Sequence, residues 1–598
     1  MFQTFVSEAD PSTGAARLAA LRARLAVEGL AGFLVPRADA HQGEYVAARD
    51  ERLSWLTGFT GSAGFCVVLP EVAGVFIDGR YRVQVKAQVD LAVFTPVHWP
   101  EVLPGPWIAE HLAAGVLGFD PWLHTADEVA KLEAALSGSG VQLRPVRNMV
   151  DAVWPDQPEP PVGRAFLHPL ELAGEAAVDK CARLAEGLRQ AGQRAAVITL
   201  PDSLCWLLNL RGADVPRNPV LQGFAVLLDD GSVDLFADAE KFMPEVLEAL
   251  GPSVRLHGVE GFADALAGLQ GPVWVDRGSA PLAISKILQE AGVAVAWGDD
   301  PCRMPKACKN AVEIEAMRQA HLRDGAAVVR FLAWLDAAAP QGGLTEIAVV
   351  EALEGFRRDT NMLHDLSFDT ICGAGPDGAI IHYRVTEATD RAVNPGELLL
   401  VDSGAQYRDG TTDITRTMGI GDVGQEAREC YTRVLQGMIA ISRARFPRGL
   451  AGRDIDALAR APLWLVGMDY DHGTGHGVGA FLSVHEGPQR ISRLSDVALA
   501  PGMILSNEPG YYREGAFGIR LENLIVVQDA PALGDNRAQL CFETLTFAPF
   551  DRRLVVAEML SPGEREWWNA YHAEVLVKIG PRVEPAVRDW LETACAPF

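Results

Sequence analysis

The first half of this 598-residue chain contains an internal repeat, which limits the folds open to it. Residues 15–36 have the pattern of an amphipathic helix followed by a buried strand, and residues 177–201 have the same pattern. The string WLTGFTG beginning at Trp55 follows the first copy, and WLLNLRG beginning at Trp206 follows the second. The sequence therefore predicts two related α/β domains in tandem.

Two breaks in the pattern divide the chain further. The Pro-rich string PDQPEPPVG is typical of a linker, and GDDPCRMPK precedes a long helical pattern. At roughly 150 residues per domain, the length also favours three or four domains. The expected divisions are 1–154, 164–298, a catalytic domain over 306–548 and a tail over 549–598.

The last third of the chain is predicted to combine long helices with strand pairs. The expected helices cover about 310–338, 344–360, 425–446 and 453–466. The tail reads as two helices whose Trp567 and Trp568 are candidate surface aromatics. Such a tail fits either a subunit contact or a self-packed cap, because surface aromatics mark interfaces in some proteins and cover a core in others.

Five residues of metal-ligand type occur in this region in an order that fits one site: Asp402, Asp413, His476, Glu508 and Glu522. A single acid on a strand is usually a solvated surface group. Four carboxylates with one imidazole instead suit two divalent cations, and the imidazole favours Mn²⁺, Co²⁺ or Zn²⁺ over Ca²⁺. The set suggests metal-assisted hydrolysis.

The local sequence predicts where these side chains lie. Asp402 ends the apolar run of ELLLVDS, and Asp413 lies in DGTTDITRT, so two adjacent strands would each present a carboxylate. NEPGYYREGAFGIRLENLIVV reads as two strands around a Gly-containing turn, with Glu508 on the first and Glu522 on the second. The glycines of HGTGHGVG, around His476, would let the backbone approach a metal or substrate closely.

The strings LLLVDSGAQYRDGTTDITRT, HGTGHGVGAFLSVHEGP, SNEPGYY and GIRLENL resemble the pita-bread metallopeptidases, specifically the long, three-domain form of aminopeptidase P. The resemblance extends from Ser54 to the Trp567-Trp568 tail. It implies two creatinase-like α/β domains, then an α+β catalytic domain in which helices support a curved antiparallel sheet. It also implies a homodimer to which the tail contributes.

The resemblance implies a chemistry for the five ligands. Asp413 and Glu522 would bridge two metal ions, Mn²⁺ being favoured, with Zn²⁺ or Co²⁺ as alternatives. Asp402 would complete one ion, and His476 with Glu508 the other. A metal-bridged hydroxide would attack the peptide carbonyl, with Glu508 accepting the proton. The expected substrates are peptides with proline at position two, which would lose their first residue.

The resemblance also assigns the substrate pocket. His485 would stabilise the oxyanion or support the leaving nitrogen, while His382 and His472 would shape the pocket after the scissile bond. Arg520 matches a residue near the proline side, with an ion pair to a ligand carboxylate as the equal alternative. Tyr512 is placed on the same wall. Whether Arg384 enters the pocket is left open.

Composition restricts the setting and partners. A formal charge of -25 disfavours binding to nucleic acid. Nine cysteines without a CxxC pair favour reduced thiols, and neither a leader nor a membrane-length apolar run is evident. The expected location is the cytoplasm, without membrane attachment.

Two other functions fit parts of the pattern. A prolidase, which cleaves Xaa-Pro dipeptides only, has a single N-terminal domain, so the duplicated front half argues against it. A metal-free pita-bread scaffold that binds peptides or histones would lack several ligands, whereas all five are present here.

Overall fold

The computed structural model describes residues 2–7 and 9–598. The chain forms two compact units. The front unit comprises the described part of Glu8–Arg303, and the catalytic unit comprises Met304–Phe598 with the described residues of Met1–Ser7.

The first half of the front unit is a mixed sheet with strand order β4-β3-β2-β1-β5-β6. Helix α1 packs on it through Leu18, Leu21 and Leu25, whose spacing places them on one helix face. Its strands are β1 Gly32–Pro36, β2 Phe65–Val68, β3 Ala73–Ile77, β4 Thr95–His98, β5 Ala114–Phe119 and β6 Gly140–Pro145. Its helices are α1 Gly14–Val27, α2 Arg52–Thr57, α3 Gln84–Gln88, α4 Pro104–His111 and α5 Ala126–Leu136.

The second half repeats this topology, with strand order β12-β11-β10-β8-β13-β14. Strand β1 pairs antiparallel with β2 and parallel with β5, and β8 pairs in the same way with β10 and β13. The strands are β7 Phe166–Leu167, β8 Ala195–Ile198, β9 Leu210–Arg211, β10 Phe224–Leu228, β11 Val233–Phe236, β12 Val254–His257, β13 Val273–Val275 and β14 Val295–Trp297. The helices are α6 Leu170–Ala173, α7 Ala177–Gln190, α8 Pro201–Leu207, α9 Pro244–Leu250, α10 Phe262–Ala267 and α11 Leu282–Glu290. The predicted pair of related α/β domains is confirmed.

The catalytic unit combines antiparallel strands with long helices. Helix α13 begins where Asn310 and Glu313 form a reciprocal capping box. The helices are α12 Arg303–Ala307, α13 Ala311–Ala338, α14 Glu346–Arg358, α15 Gln425–Ser442, α16 Arg453–Trp464, α17 Pro562–Ile579 and α18 Pro585–Ala594. The four helices predicted before the tail are therefore present. In the described part of the chain, no helix is both long enough and apolar enough to cross a bilayer.

The strands of the catalytic unit form several small antiparallel sheets. The largest has the order β21-β28-β27-β24-β22-β23, and another has the order β16-β17-β20. The strands are β15 Leu363–Leu366, β16 Ile371–Ala374, β17 Glu397–Ser403, β18 Ala405–Tyr407, β19 Gly410–Thr411, β20 Ile414–Ile420, β21 Arg445–Pro447, β22 Gly475–Gly477, β23 Glu486–Ile491, β24 Ile504–Asn507, β25 Gly510–Arg513, β26 Phe517–Arg520, β27 Asn523–Asp529 and β28 Gln539–Thr544. Helix α15 packs against this region through the buried Tyr431, Leu435 and Met438.

The C-terminal helices complete the core of the catalytic unit. Trp568 is fully buried, and its ring lies 3.9 Å from the ring of His572 and 5.1 Å from that of Phe598. The prediction that Trp567 and Trp568 are both surface aromatics is therefore wrong for Trp568. Trp567 is partly buried and stacks on Tyr571. The sequence pattern could not show this, because apolar residues such as Val577, which is 72% exposed, also lie on the solvent face of α17.

Candidate metal centre

The first candidate ligand, Asp402, lies near the end of a strand buried on both faces. Residues Leu398–Val401 of β17 are at most 3% exposed, which explains the unbroken apolar run in the sequence. Asp402 itself is 8% exposed and stands opposite Thr415 of β20. The fold thus holds a carboxylate among apolar strands, where it needs a partner.

The other three carboxylates lie at interruptions between strands. Asp413 falls between β19 and β20, Glu508 between β24 and β25, and Glu522 between β26 and β27. The prediction that these residues lie on continuous strands is therefore corrected. A regular strand sends alternate side chains to opposite faces. A break removes this restriction and lets side chains from neighbouring strands turn toward one point.

The breaks at Glu508 and Glu522 occur at the same level of one hairpin. Asn507 pairs with Asn523 before the break, and Gly510 pairs with Arg520 after it. The two glutamates consequently leave paired strands side by side. The sequence predicted the two strands and the turn but not this interruption.

His476 lies in β22, a strand of three residues between closely approaching neighbours. A Cβ atom on Gly475 would lie 2.0 Å from the Ser506 carbonyl oxygen, and one on Gly477 would lie 2.4 Å from the Glu486 carbonyl oxygen. These glycines therefore allow close packing of adjacent strands. From the sequence, these glycines were expected to let the backbone approach a metal or substrate closely.

The ligand atoms of Asp413, His476 and Glu522 all lie within 4.8 Å of one another. His476 Nε2 is 3.4 Å from Asp413 Oδ2 and 3.4 Å from Glu508 Oε1. Asp402 joins them through charge, because its carboxylate, like those of Asp413 and Glu508, raises the pKa of Glu522. All five predicted ligands thus belong to one cluster.

Two oxygens of this cluster have no protein partner. Asp402 Oδ1 and Glu522 Oε1 are both buried and make no hydrogen bond among the described residues. Buried polar atoms are normally satisfied, and a cation would satisfy two unpartnered carboxylate oxygens in one cluster. Four carboxylates and one imidazole are a donor set that fits divalent metal ions.

The electrostatics of the metal-free cluster support the same interpretation. Burial raises the pKa of Asp402 and Glu508, and it raises that of Glu522 well above its ordinary value, with repulsion from neighbouring carboxylates adding to the rise. Burial opposes charge on His476, but its hydrogen bond to Asp413 and the charge of Glu508 raise its pKa to about 9. The carboxylates cannot all ionise together without added positive charge.

Arg520 contacts the cluster of candidate metal ligands directly. Its Nη2 donates to Asp402 Oδ2 at 2.6 Å, and its Nη1 donates to Tyr512 Oη at 2.6 Å. The side chain is 2% exposed. Of the two roles open from the sequence, the ion pair with a ligand carboxylate is the one the contacts show.

Tyr512 connects this ion pair to His472. The Tyr512 hydroxyl lies 2.9 Å from His472 Nε2, and His472 Nδ1 lies 2.8 Å from the Gly473 carbonyl oxygen. That carbonyl can only accept, so Nδ1 carries a proton and Nε2 accepts from Tyr512 in the neutral ring. The network fixes the orientation of His472.

The two remaining predicted histidines occupy different surroundings. The half-buried His485 lies with its ring 4.3 Å from the His476 ring, in an edge-to-face arrangement. His382 is half-buried in the segment after the 3₁₀ helix Gly375–Ala379, which packs against β17 and β26. Arg384, left open by the sequence, lies 3.1 Å from Asp369 and donates to the Thr4 carbonyl oxygen.

Two hydroxyl residues that support the ligands were missed as site residues. Thr415 Oγ1 donates to Glu522 Oε2 at 2.7 Å and accepts from Arg520 Nε at 3.3 Å. Ser506 Oγ donates to Glu508 Oε1 at 2.9 Å and accepts from the His476 amide. Each lies two residues from a ligand, in the strand next to it, so closeness in sequence was the signal that could have identified them.

Comparison with known families assigns most of the chain. Residues 315–529 match the Metallopeptidase family M24, and residues 538–598 match the C-terminal region of that family. Residues 17–153 and 156–313 each match a Creatinase/Prolidase N-terminal domain. The matches follow the chain order of the sheets described above.

Individual relatives are similar over nearly the full length. Aminopeptidase P2 of Arabidopsis thaliana is 39% identical over 94% of this chain and 85% of its own. Probable Xaa-Pro aminopeptidase P of Talaromyces stipitatus is 37% identical over 99% of this chain and 94% of its own. The structure of X-prolyl aminopeptidase from Caenorhabditis elegans, described as a cytosolic enzyme with a di-nuclear active site, superimposes with a TM-score of 0.94. It is 33% identical and covers 98% of this chain and 100% of its own. The chain therefore belongs to the aminopeptidase P group of the M24 metallopeptidases, with two creatinase-type domains before a pita-bread domain.

Proposed function

We propose that this protein is a metal-dependent Xaa-Pro aminopeptidase that removes the first residue from peptides with proline at position two. The observation that carries the proposal is the pair of buried, unpartnered oxygens, Asp402 Oδ1 and Glu522 Oε1, within the five-donor cluster. The full-length relatives supply the substrate class, because their names specify Xaa-Pro peptides.

The cluster would hold two divalent ions, with Mn²⁺ favoured and Zn²⁺ or Co²⁺ as alternatives. Asp413 and Glu522 would bridge them, Asp402 would complete one, and His476 with Glu508 the other. When bound, such ions supply Lewis acidity that activates water and stabilises negative charge on the scissile carbonyl. Arg520 would keep Asp402 ionised and directed inward, since it already makes a 2.6 Å ion pair with that carboxylate.

The protein's own groups would move the protons. Glu508 Oε1 accepts from Ser506, which fixes the carboxylate beside His476 and makes it the best placed acceptor for a proton from the attacking water. His485, packed against His476, would donate to the developing oxyanion or support the leaving nitrogen.

The pocket residues would set the proline side of the substrate. His472 is oriented by Tyr512, so its ring presents a fixed face to a ligand. His382 would form another wall of the same pocket. We extend the proposal to a homodimer located in the cytoplasm, as the description of the C. elegans enzyme as cytosolic suggests for the location. Because Trp568 is buried, only Trp567 of the tail pair remains available for a subunit contact.

The two front domains are the feature that separates this proposal from the prolidase alternative. We propose domain limits of 1–154 and 164–298, followed by 306–548 and a tail over 549–598. Peptides with blocked or extended N-termini should be excluded, and peptides longer than the dipeptide should be accepted. A substrate amine left without a partner costs transition-state binding, so N-acetylated peptides should not be cleaved.

Mass spectrometry of peptide digests tests the function. Arg-Pro-Pro-type peptides, their N-acetylated forms and an Xaa-Pro dipeptide are incubated with the metal-loaded protein. We expect loss of the first residue from the free peptides only. Cleavage confined to the dipeptide would establish a prolidase, and cleavage of the acetylated peptide would refute the requirement for a free amine. Absence of both bound metal and cleavage would establish the metal-free scaffold.

A further inference from the structure

Three charged side chains meet in the interior of the catalytic unit, one residue from His485. The Glu486 carboxylate accepts a hydrogen bond from Lys306 Nζ at 3.0 Å and a second from Lys309 Nζ. Gln489 Nε2 lies 3.4 Å from the same carboxylate. The three charged side chains are each 3% exposed or less. Lysine and glutamate are almost never buried so completely unless they are paired.

The position of Glu486 links this cluster to the metal site. His485 lies in the bend immediately before β23, and Glu486 is the first residue of that strand. The His485 ring contacts the ring of the ligand His476, whereas the Glu486 carboxylate meets the lysines. Movement of Glu486 would therefore move His485.

The backbone between these residues also connects them. Glu486 pairs across the sheet with Gly477, whose carbonyl oxygen accepts a hydrogen bond from His476 Nδ1 at 2.9 Å. Strand β22 is only three residues long, and its register with β23 shifts between His476 and Gly477. So short and irregular a ladder provides few bonds of its own. A side-chain anchor at Glu486 supplies the missing constraint.

We propose that Glu486, held by Lys306 and Lys309, is a positioning residue that fixes His485 against His476. The inference rests on the proposed function in that the contribution of His485 to turnover is one of its readouts. The contacts of Glu486 predict which replacements in this cluster reduce turnover most. Replacing Glu486 removes the carboxylate that both lysines bind, whereas replacing one lysine leaves that carboxylate bound to the other.

Kinetic measurements on Glu486→Gln, with and without His485→Ala, test the coupling. We expect Glu486→Gln to lower kcat at least ~10-fold in the wild-type background, because displacement by about 1 Å at a reacting group can cost ~100-fold. In the His485→Ala background the same change should cost less than about 2-fold, since the group it positions is gone. Lys306→Met and Lys309→Met should each cost less than Glu486→Gln. Equal losses in both backgrounds would make the cluster merely structural and overturn the proposal.

A second variant, Glu486→Asp, tests the anchor by a measurement that does not depend on activity. Glu486→Asp keeps the charge but is one methylene shorter, so it cannot reach both lysines. Hydrogen exchange of the amides in β22 and β23 should accelerate in this variant. The matched control is Glu354→Asp, a buried carboxylate whose partners include the amides of Phe2 and Gln3 and the Arg358 guanidinium. Unchanged exchange in Glu486→Asp would overturn the proposed anchor, whether or not the wild type is active. Failure of the wild type to cleave Xaa-Pro peptides would refute only the proposed function.

Discussion

Replacement of Glu346 by glutamine should make the catalytic unit more stable at alkaline pH. Glu346 is fully buried and accepts hydrogen bonds from the Ala374 amide at 2.7 Å and the Tyr383 hydroxyl at 2.9 Å. Burial raises its pKa to about 8, and the charge of the nearby Asp377 adds to the rise. A glutamine can keep both contacts, because its oxygen accepts from Ala374 and its amide nitrogen donates to Tyr383 Oη, whose own proton goes to the Thr389 carbonyl oxygen.

The direction and the size of the stability change follow from the raised pKa of Glu346. A carboxyl whose pKa is higher in the folded protein stabilises the fold fully below its unfolded pKa of 4.5, and this stability is lost as pH rises through about 8. The interval corresponds to at most about 5 kcal/mol at ~1.4 kcal/mol per pH unit. Asp377, whose pKa burial also raises, shares the interaction, so we expect about 2–4 kcal/mol. In a unit of this size that is about 4–12 °C in Tm.

Thermal unfolding of the wild type and Glu346→Gln at pH 5 and pH 8.5, both without metal, measures the effect. The two proteins should melt within about 2 °C of each other at pH 5, and the variant should be more stable at pH 8.5. Taking the difference at each pH removes the contributions of other titrating groups. Glu351→Gln, at an exposed position of the same helix, is the control and should show no such change. A difference that does not vary with pH would refute the reasoning.

Three further predictions concern the site and the tail. Asp413→Asn or Glu522→Gln should abolish peptide cleavage and lower bound metal, measured by atomic absorption, with the circular dichroism unchanged, because a neutral amide cannot bridge two cations; full activity would contradict the proposed bridges. His485→Ala should reduce kcat ~10²–10³-fold at unchanged metal content if the ring donates to the oxyanion, whereas a matching loss of metal would make it a support for the ligands. Trp568→Ala should destabilise the fold by about 3–5 kcal/mol, because the fully buried ring would leave a cavity. Replacing the partly buried Trp567 with alanine should cost less stability. Sedimentation of Trp567→Ala beside the wild type tests whether this side chain contributes to a dimer.

Much of the fold was readable because periodicity records burial directly. The apolar spacing of α1 and α7 identified the repeated domains, and the capping pattern before α13 marks where the catalytic helices begin. The unbroken apolar run of β17 likewise indicated a buried strand ending at Asp402. Trp568 was misread because α17 carries apolar residues such as Val577 on its exposed face, so the sequence does not show which face is buried.

For the proposed metal site, the sequence by itself supplied the candidate donors: Asp402, Asp413, His476, Glu508 and Glu522 follow from residue type, order and local motif. Only the tertiary structure decided how they converge. Strand breaks release Glu508 and Glu522 from the pleat, Thr415 and Ser506 orient carboxylates, and Lys306 reaches Glu486 across 180 positions of sequence. Periodicity reports which face of an element is apolar, whereas an interrupted ladder or a contact between distant segments depends on the packing of whole sheets, which no local pattern contains.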